Sequence, residues 1–366
     1  MVKILHVIGS ARIGGIEKLV LDLISVQIEN PDLISEVLIG KRIGDFLEKF
    51  ENLNTNCYFA NISGGYDINI KKYFRVFKLY KKYDVIHFHG FNVLMILMSI
   101  FAKKKNVYTE HGNFGFGRKK KKSDTINNFL KKIILNKFIH FLSFNSDFTK
   151  SVAIRRFGLK NVKSKVIPNG ISFSINSDHK IIENKILYKI GKRFVIGTST
   201  RFAGFKRIDR LVKAFSGFKY KSESILLLVG DGPLRKDIEN LVNELGLRNN
   251  VIFTGFKTNI SDYQSIMDVC VFPSQNEPFG LVAVETLNLG KPTIAFTDGG
   301  GIKDIIKNIS EEDVVENIKS LSERLNYYFQ NRFEINKKRK ERIEYSKSYD
   351  IKVMENTFFQ IYQNLK

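Results

Sequence analysis

The 366-residue chain lacks the features that mark small disulfide-stabilised, zinc-binding or membrane-spanning proteins. Its two cysteines, Cys57 and Cys270, lie far apart and support neither a disulfide framework nor a zinc site. The longest apolar stretch, 91–102, is shorter than the roughly 20 residues a membrane span needs, and we expect a buried helix there. The N-terminal run ends in a glycine turn without a cleavage site, which predicts a first strand and a cytoplasmic protein.

Two signatures of nucleotide-dependent enzymes are also missing. The chain has no D-x-D triplet, the kind of carboxylate cluster that holds a divalent metal at a diphosphate. The G-x-G-x-x-G fingerprint is not completed after the first strand, and no acidic ribose ligand follows at the expected distance. The sequence therefore predicts no metal site and no cofactor, and it disfavours a nicotinamide dehydrogenase.

Positive charge is in excess, because 59 Lys+Arg against 37 Asp+Glu leave a formal net charge of +22. Such a surface attracts anionic lipid headgroups, nucleic acid or phosphate-bearing substrates, unless it only reflects a lysine-rich composition. Residues 71–83 form a basic amphipathic pattern that fits either a membrane surface or a helix covering a sheet. The run at 118–122 predicts a mobile loop that contacts acceptor or membrane, or is simply solvated.

Short apolar runs alternate with segments of helical periodicity, which predicts an α/β chain with parallel sheets in two Rossmann-like domains. We assign an N-terminal domain to 1–175 and a C-terminal domain to 185–339, with a linker within 171–190. Residues 340–366 are predicted as a helix that packs back onto the first domain. The predicted strands are 3–8, 36–40, 84–88, 106–109, 164–167, 193–198, 224–229, 250–253, 268–272 and 292–296.

The densest group of candidate binding residues lies at 274–292. Glu277 follows an apolar strand, Gly280 opens a helix, and Glu285 lies further along that helix. Carboxylates bind sugar hydroxyls, and the backbone amides of 279–281 at a helix start suit a phosphate. An ordinary capped helix with solvated acidic side chains would have the same sequence pattern.

Two cations and a glycine pair complete the candidate site. Arg201 and Lys206 follow another predicted strand, where ligands of open α/β sheets gather, and two cations there suit a diphosphate leaving group. Gly14 and Gly15 follow the first strand and let the backbone pass close to a ligand before a helix N-terminus.

In order and spacing, a series of motifs resembles the retaining glycosyltransferases of family 4, whose GT-B fold has two Rossmann-like domains facing a cleft. The motifs are GGIE at 14–17, DVIHFHG at 84–90, TEHG at 109–112, VIPNGI at 166–171, TRFAGFK at 200–206, LLVGDGPLR at 227–235, VIFTGF at 251–256, EPFGLVAVE at 277–285 and GKPTIAF at 290–296.

The resemblance implies a role for each matching position. Glu277 and Glu285, separated by seven residues, match the glutamates near the donor sugar and on the nucleotide ribose. The resemblance further implies diphosphate binding and catalysis by Arg201 and Lys206, donor approach by Gly14 and Gly15, and a catalytic place by the reacting sugar for His111, beside the catalytic Glu277. From the residues themselves, the donor-binding candidates also include Pro278, Phe279, Gly280 and Leu281, and the acceptor-side candidates are His89, His111 and Asn113. Of the H-x-H pair His87 and His89, we expect one to pack and the other to line the acceptor side. Metal binding by that pair lacks a third ligand.

The sequence departs from the family pattern at two places. After GGGIKDII the chain passes directly into NISEEDVVENIKSL, which predicts loss of a glycine-containing loop and a short strand. The family's lysine-glycine pair appears as Lys206-Arg207, where a tight turn is usual.

Together these features predict a metal-independent retaining glycosyltransferase, of the hexosyltransferase type, that uses a UDP- or GDP-linked sugar. The expected acceptor is a lipid-linked glycan in bacterial cell-surface polysaccharide biosynthesis, such as capsule or lipopolysaccharide. The expected location is the inner face of the cytoplasmic membrane, contacted through basic N-domain segments, with no nucleic acid partner. The alternatives are a same-fold nucleotide-sugar epimerase and a non-enzymatic polyanion binder.

Overall fold

The computed structural model describes residues 1–62, 67, 69–115, 122–160, 162–173, 188 and 190–366. The chain separates into two compact units, Met1–Ser172 with Tyr349–Lys366, and Phe173–Ser348. Most of the predicted linker and of the basic run at 118–122 lies outside the described residues. Among the described helices, none combines the length and apolar character needed to cross a bilayer.

The first unit is built on a parallel sheet with strand order β3-β2-β1-β4-β5-β6-β7. Its strands are β1 (Val2–Ser10), β2 (Leu33–Lys41), β3 (Cys57–Phe59), β4 (Val85–Phe88), β5 (Lys105–Glu110), β6 (Phe141–Phe144) and β7 (Ser164–Val166). Successive β1 residues are buried on opposite faces, Leu5 and Val7 in one apolar cluster and Ile4 and Ile8 in two others. Cover on both faces explains why apolar residues occupy consecutive positions of β1, at Ile4–Leu5 and Val7–Ile8.

Helices cover both faces of this sheet. They are α1 (Gly15–Gln27), α2 (Leu47–Glu51), α3 (Ile70–Tyr80), α4 (Val93–Phe101), α5 (Lys122–Lys137) and α6 (Asp147–Phe157). The apolar stretch at 91–102 forms α4, which begins where the Asn92 side chain accepts a hydrogen bond from the backbone of Met95. On α3, Tyr73, Val76 and Tyr80 are buried in the core, so this apolar stripe packs on the sheet.

The second unit holds a six-stranded parallel sheet of order β10-β9-β8-β11-β12-β13. Its strands are β8 (Phe194–Ser199), β9 (Ser224–Val229), β10 (Val251–Gly255), β11 (Val269–Phe272), β12 (Thr293–Phe296) and β13 (Val314–Val315). Its helices are α7 (Ile208–Gly217), α8 (Arg235–Glu244), α9 (Ile260–Ser265), α10 (Leu281–Asn288), α11 (Gly301–Lys307), α12 (Ile318–Gln330), α13 (Arg332–Lys337) and α14 (Arg339–Ser346). Two α/β domains with parallel sheets confirm the predicted fold class.

Both sheets reverse their strand order at an interior strand. In the first sheet β1 lies between β2 and β4, and in the second β8 lies between β9 and β11. Ligands of open α/β sheets bind beyond the carboxyl ends of the strands at such a switch point. The loops after β1 and β4, and those after β8 and β11, are therefore the places to look for function.

Three strands of the structure are absent from the prediction: β3, β6 and β13. The prediction that the short strand after residue 304 is lost was wrong, because Val314–Val315 pairs in parallel with β12. A run of only two residues gives no alternation to recognise. Strand β6 continues an apolar run after α5 without the glycine or proline that marks a boundary.

The C-terminal segment differs from the single returning helix predicted at 340–366. Helix α14 belongs to the second unit, where Arg342 is buried and donates to the backbone oxygen of Gly290 at 2.9 Å. The return begins at Tyr349, and Asp350 caps a separate helix, α15 (Ile351–Leu365), which packs on the first unit. Gly170 permits this docking, because a Cβ there would lie 2.5 Å from Ile351 Cα.

Candidate functional site

An ion pair lies at the switch point of the second sheet. Lys206 ends the helical turn Gly204–Lys206 that follows β8, and Glu277 lies in the loop after β11. Lys206 Nζ is 2.5 Å from Glu277 Oε2, and each side chain is 13% exposed. The structure thus brings together two residues that are 71 positions apart. Partial burial strengthens the pair relative to an exposed one.

The backbone of Glu277 is fixed on both sides. Its N–H donates to Gly299 O at 3.0 Å, and its carbonyl accepts from Gly301 N–H at 2.7 Å. The preceding Asn276 N–H donates to Asp298 O at 2.9 Å. The loop carrying Glu277 is therefore anchored to the loop between β12 and α11, which holds the carboxylate in place.

Two glycines make this close approach feasible. Gly300 has φ +71°, and a Cβ there would lie 2.5 Å from the backbone oxygen of Glu277. Gly280, with φ +105°, precedes α10, and a Cβ there would lie 2.7 Å from Ile302 Cβ. Any larger residue would push the 277–280 loop away from the position that it shares with the start of α10. The amides of 279–281 lie at this helix start, where an anion is stabilised.

Charged groups around the ion pair are held by neighbouring bonds. Arg210 binds Asp298 through two hydrogen bonds of 2.7 and 2.8 Å, which hold the pKa of that carboxyl below its usual value. Arg207, where the family has glycine, adopts the left-handed conformation at φ +47° and binds Asp209 through two bonds of 3.0 Å. The turn is therefore kept in the glycine-like conformation. Arg201 is exposed beyond β8.

Glu285 lies in a second polar group, on α10. Gln264 on α9 donates to Ser199 Oγ at 2.8 Å and, in a long contact of 3.5 Å, to Glu285 Oε2. Ser199 is the last residue of β8. Glu285 is thus held by an amide beside the end of the central strand, and a half-buried carboxylate there suits the hydroxyls of a ribose.

A cluster of neutral histidines lies at the switch point of the first sheet. His6 on β1 and His87 on β4 are neighbours in register, His89 follows β4, and His111 follows β5. All four are buried, and burial lowers the pKa of His6 to about 4 and that of His111 to about 3. Burial also holds the pKa values of His87 and His89 well below the usual value.

The expectation that one of the H-x-H pair packs while the other lines an acceptor site is not met. His89 is only 3% exposed, and its ring lies 4.1 Å from that of His87. Sequence reasoning missed His6, which supplies a third imidazole with ligand atoms within 4.8 Å of those of the pair. The register of β1 on β4 was the signal that could have found it. Every ring nitrogen of these three is already hydrogen-bonded, so the arrangement is that of a hydrogen-bond network.

The loop carrying His111 is anchored by its neighbours. Glu110 Oε2 lies 2.5 Å from Nζ of the partly buried Lys131, and its Oε1 accepts from Gly112 N–H at 3.1 Å. Gly112 has φ +80°, which turns the chain directly after His111. Asn113, the next residue, is exposed. The imidazole is therefore fixed at the end of β5 beside a polar surface residue.

The glycine pair begins α1, as the motif predicts. Gly14 is the N-cap and Gly15 the first helical residue. A Cβ on Gly14 would lie 2.3 Å from Glu17 Oε2, so the Glu17 carboxylate already lies against this helix start. Burial raises the pKa of that carboxyl. A phosphate approaching these amides would have to displace the Glu17 side chain.

Comparison with known proteins gives two family matches that together span most of the chain. The model for Glycosyltransferase Family 4 matches residues 13–174, and that for Glycosyl transferases group 1 matches residues 180–349. Lipopolysaccharide core biosynthesis glycosyltransferase LpsD of Rhizobium meliloti is 43% identical over 102 residues, 28% of this chain and 29% of that protein. The chain spans less than half the length of several curated relatives that it matches.

A longer match and a solved structure extend the likeness. An Escherichia coli UDP-Gal:alpha-D-GlcNAc-diphosphoundecaprenol alpha-1,3-galactosyltransferase is 26% identical over 261 residues, 68% of this chain and 67% of that protein. The crystal structure of Anabaena HepE in complex with UDP superposes with a TM-score of 0.83 at 20% identity, covering 99% of this chain and 100% of that one. At that identity the superposition shows the shared GT-B fold.

Proposed function

Because this chain belongs to the group 1 glycosyltransferases of family 4, we propose that it transfers a glycosyl group from a nucleotide-sugar donor to a glycan acceptor. The observation that carries the proposal is the Lys206–Glu277 pair at the switch point of the second sheet. A cation and a carboxylate fixed side by side suit the two parts of such a donor. The diphosphate needs positive charge, and the sugar needs hydrogen-bond acceptors for its hydroxyls.

The second unit then binds the donor. Lys206, the exposed Arg201 and the amides at the start of α10 hold the diphosphate, while Glu285 accepts hydrogen bonds from the ribose. As the bond between sugar and diphosphate breaks, negative charge accumulates on the leaving phosphate, and these fixed donors stabilise it without a metal ion. Glu277, released in part from Lys206 by the phosphate, faces the sugar.

The first unit binds the acceptor in this proposal. His111 accepts or donates a hydrogen bond at the reacting sugar, and the exposed Asn113 contacts the acceptor. The acceptor hydroxyl attacks on the face that the leaving group vacates and gives its proton to the departing diphosphate, so the configuration at the anomeric carbon is retained. A UDP-sugar is the first donor to test, since the HepE structures contain UDP and UDP-glucose.

We also propose that the acceptor is lipid-linked and is met at the inner face of the cytoplasmic membrane during bacterial cell-surface polysaccharide biosynthesis. The Escherichia coli relative named above acts on a diphosphoundecaprenol-linked sugar. Helices α3, α4 and α5 pack in sequence along one side of the first unit. Each exposes large apolar side chains: Ile70, Phe74, Phe101, Ile126 and Phe129. Apolar tips among lysines favour an anionic lipid surface.

Release of nucleoside diphosphate from UDP- and GDP-sugars, measured in EDTA with a bacterial lipid extract as acceptor, tests this function. The expected result is release by one donor class that depends on the extract and is lost in Lys206→Met. Donor consumption without any acceptor would indicate an epimerase instead. No turnover, together with salt-sensitive nucleic-acid binding, would replace the proposal with a polyanion binder.

A further inference from the structure

A chain of hydrogen bonds runs through the first unit from a buried amide to His111. Gln27 Oε1 lies 2.8 Å from His6 Nε2, and His6 Nδ1 lies 2.9 Å from His89 Nε2. His89 Nδ1 in turn lies 3.2 Å from His111 Nε2. Each contact joins one nitrogen of one ring to one nitrogen of the next, so three imidazoles are linked in series.

The amide of Gln27, at the buried end of the series, determines which nitrogen of each ring carries the proton. The amide oxygen of Gln27 is an acceptor only, and Ser35 Oγ also donates to it at 2.7 Å. With the amide oxygen of Gln27 facing His6, as in this structure, His6 carries its proton on Nε2 and accepts at Nδ1. A neutral imidazole has one donor nitrogen and one acceptor nitrogen. Each ring therefore donates towards Gln27 with one nitrogen and accepts from the next ring with the other. Burial keeps these rings neutral by lowering their pKa values.

This direction of donation continues along the series to His111. His89 donates from Nε2 to His6 and accepts at Nδ1, so His111 donates from Nε2 and its Nδ1 carries a lone pair. Among the residues that the structure describes, His111 Nδ1 has no hydrogen-bond partner although it is buried. A buried polar atom without a partner costs free energy, which a ligand hydroxyl would recover.

We propose that Gln27 is a positioning residue that fixes His111 as the Nδ1-unprotonated tautomer, ready to accept a hydrogen bond from a hydroxyl of the bound sugar. The inference rests on the proposed function only for the identity of that hydroxyl. The tautomer itself is a property of the protein alone. In the part of the chain that the structure describes, the hydrogen bonds that connect Gln27, on α1, to His111 run through His6 and His89.

The neighbouring branch of the cluster provides a matched control. His87 is hydrogen-bonded to Tyr362 OH at 2.6 Å and to Thr109 Oγ1 at 2.7 Å. Hydroxyls both donate and accept, so this branch does not determine the order of the series. Thr109→Val removes an equally buried bond from the same cluster without touching Gln27, His6 or His111.

The test is two-bond ¹H–¹⁵N correlation spectroscopy of the full chain labelled at histidine, which distinguishes protonated from unprotonated ring nitrogens. The His111 signals are identified by their loss in His111→Asn. In the wild type we expect a proton on Nε2 and none on Nδ1 of His111, and the same in Thr109→Val. In Gln27→Met we expect proton signal on Nδ1, because the terminal acceptor is gone.

A wild-type spectrum with the His111 proton on Nδ1 would overturn the proposal, since it would mean that Gln27 donates through its NH₂ group. An unchanged His111 tautomer in Gln27→Met would overturn it as well. These readouts need no donor or acceptor, so they stand even if no transferase activity is found. Where turnover is measured, Gln27→Met should lower kcat by about tenfold, less than the 10²–10⁴-fold that a positioned acid or base typically contributes.

Discussion

The two switch points of this chain use opposite electrostatics. At the second sheet the side chains are charged and paired, with Lys206 beside Glu277 and Arg210 bound to Asp298. At the first sheet four buried histidines are neutral and linked by hydrogen bonds. Similar strand topologies thus carry different chemistry, because the side chains at the strand ends and in the segments that follow them differ between the two sheets.

The difference matches the two halves of the proposed reaction. A diphosphate leaving group requires fixed positive charge, which Lys206 supplies in the second unit. Hydroxyl groups require oriented neutral donors and acceptors, which an uncharged histidine series provides.

Lys206→Met should lower kcat/KM by about 100- to 1,000-fold, since it removes a fixed cation from the charge that develops on the leaving phosphate. Lys213→Met is the matched control, because Lys213 is an exposed lysine on α7 of the same unit. Steady-state kinetics give kcat/KM for both variants, and we expect Lys213→Met to leave it unchanged. Equal effects would mean that general positive charge and not the fixed position matters.

Arg201→Ala and Glu285→Ala should separate turnover from affinity. Arg201 is proposed to act on the diphosphate as it leaves, so its loss should lower kcat more than donor affinity. Glu285 is proposed to hold the ribose, so its loss should weaken donor binding by about tenfold. Titration calorimetry with the nucleoside diphosphate, beside steady-state kinetics, measures the two quantities. Unchanged values in both variants would contradict the assigned site.

The pH dependence of stability should reveal the neutral histidines. Their folded pKa values lie below the ordinary 6.5, His6 at about 4 and His111 at about 3, so the unfolded chain binds protons first on acidification. The free energy of unfolding should therefore fall from pH 6.5 towards pH 4, by about 1.4 kcal/mol per pH unit for each histidine still neutral.

Urea unfolding between pH 7.5 and 5 measures this slope. His6→Asn should reduce this slope by the contribution of about one proton, which is the proton that unfolding lets His6 bind. His140→Asn is the control, since that ring is less buried and burial lowers its pKa less. Equal slopes in the wild type and His6→Asn would show that His6 is not neutral in the folded protein.

Gly300→Ala should disturb the anchoring of Glu277 more than the glycine conformation alone explains. Gly246, with φ +66° and nothing within 4 Å of its Cβ position, is matched in φ to Gly300 at +71°. Gly246→Ala should cost about 1–2 kcal/mol of stability for the backbone. Gly300→Ala should cost about 1–3 kcal/mol more, because its Cβ overlaps the Glu277 carbonyl, and donor binding should weaken with it. Equal costs, with binding intact, would show that the loop is not held there.

A smaller effect is expected at the surface of the first unit. Phe74→Ser should lower binding to vesicles containing anionic phospholipid by a few-fold, because Phe74 on α3 is 53% exposed. Phe333→Ser, at a 64% exposed side chain in the second unit, should leave vesicle binding unchanged. Co-sedimentation measures both variants. Equal losses of vesicle binding in the two variants would show that the lipid contact is not specific to the first unit.

Local signals in the sequence predicted the second site better than the first. Lys206, Glu277 and Gly280 lie in the segments that follow two apolar strands, so their place at the carboxyl edge followed from the strand pattern. The histidine series depends on residues of α1, β1, β2 and the loops after β4 and β5, and no sequence spacing indicates which of these residues meet. The turn at Arg207 shows the same limit, because a left-handed arginine is fixed by its bond to Asp209 and not by its own preference.

The most direct test of this division is equilibrium binding of UDP and GDP to the wild type, Lys206→Met and Gln27→Met in EDTA. We predict that one nucleotide binds the wild type, that adding Mg²⁺ leaves the affinity unchanged, and that Lys206→Met weakens it at least tenfold while Gln27→Met does not. Binding that requires Mg²⁺, or equal loss of affinity in both variants, would contradict the assignment of the charged diphosphate site to the second unit.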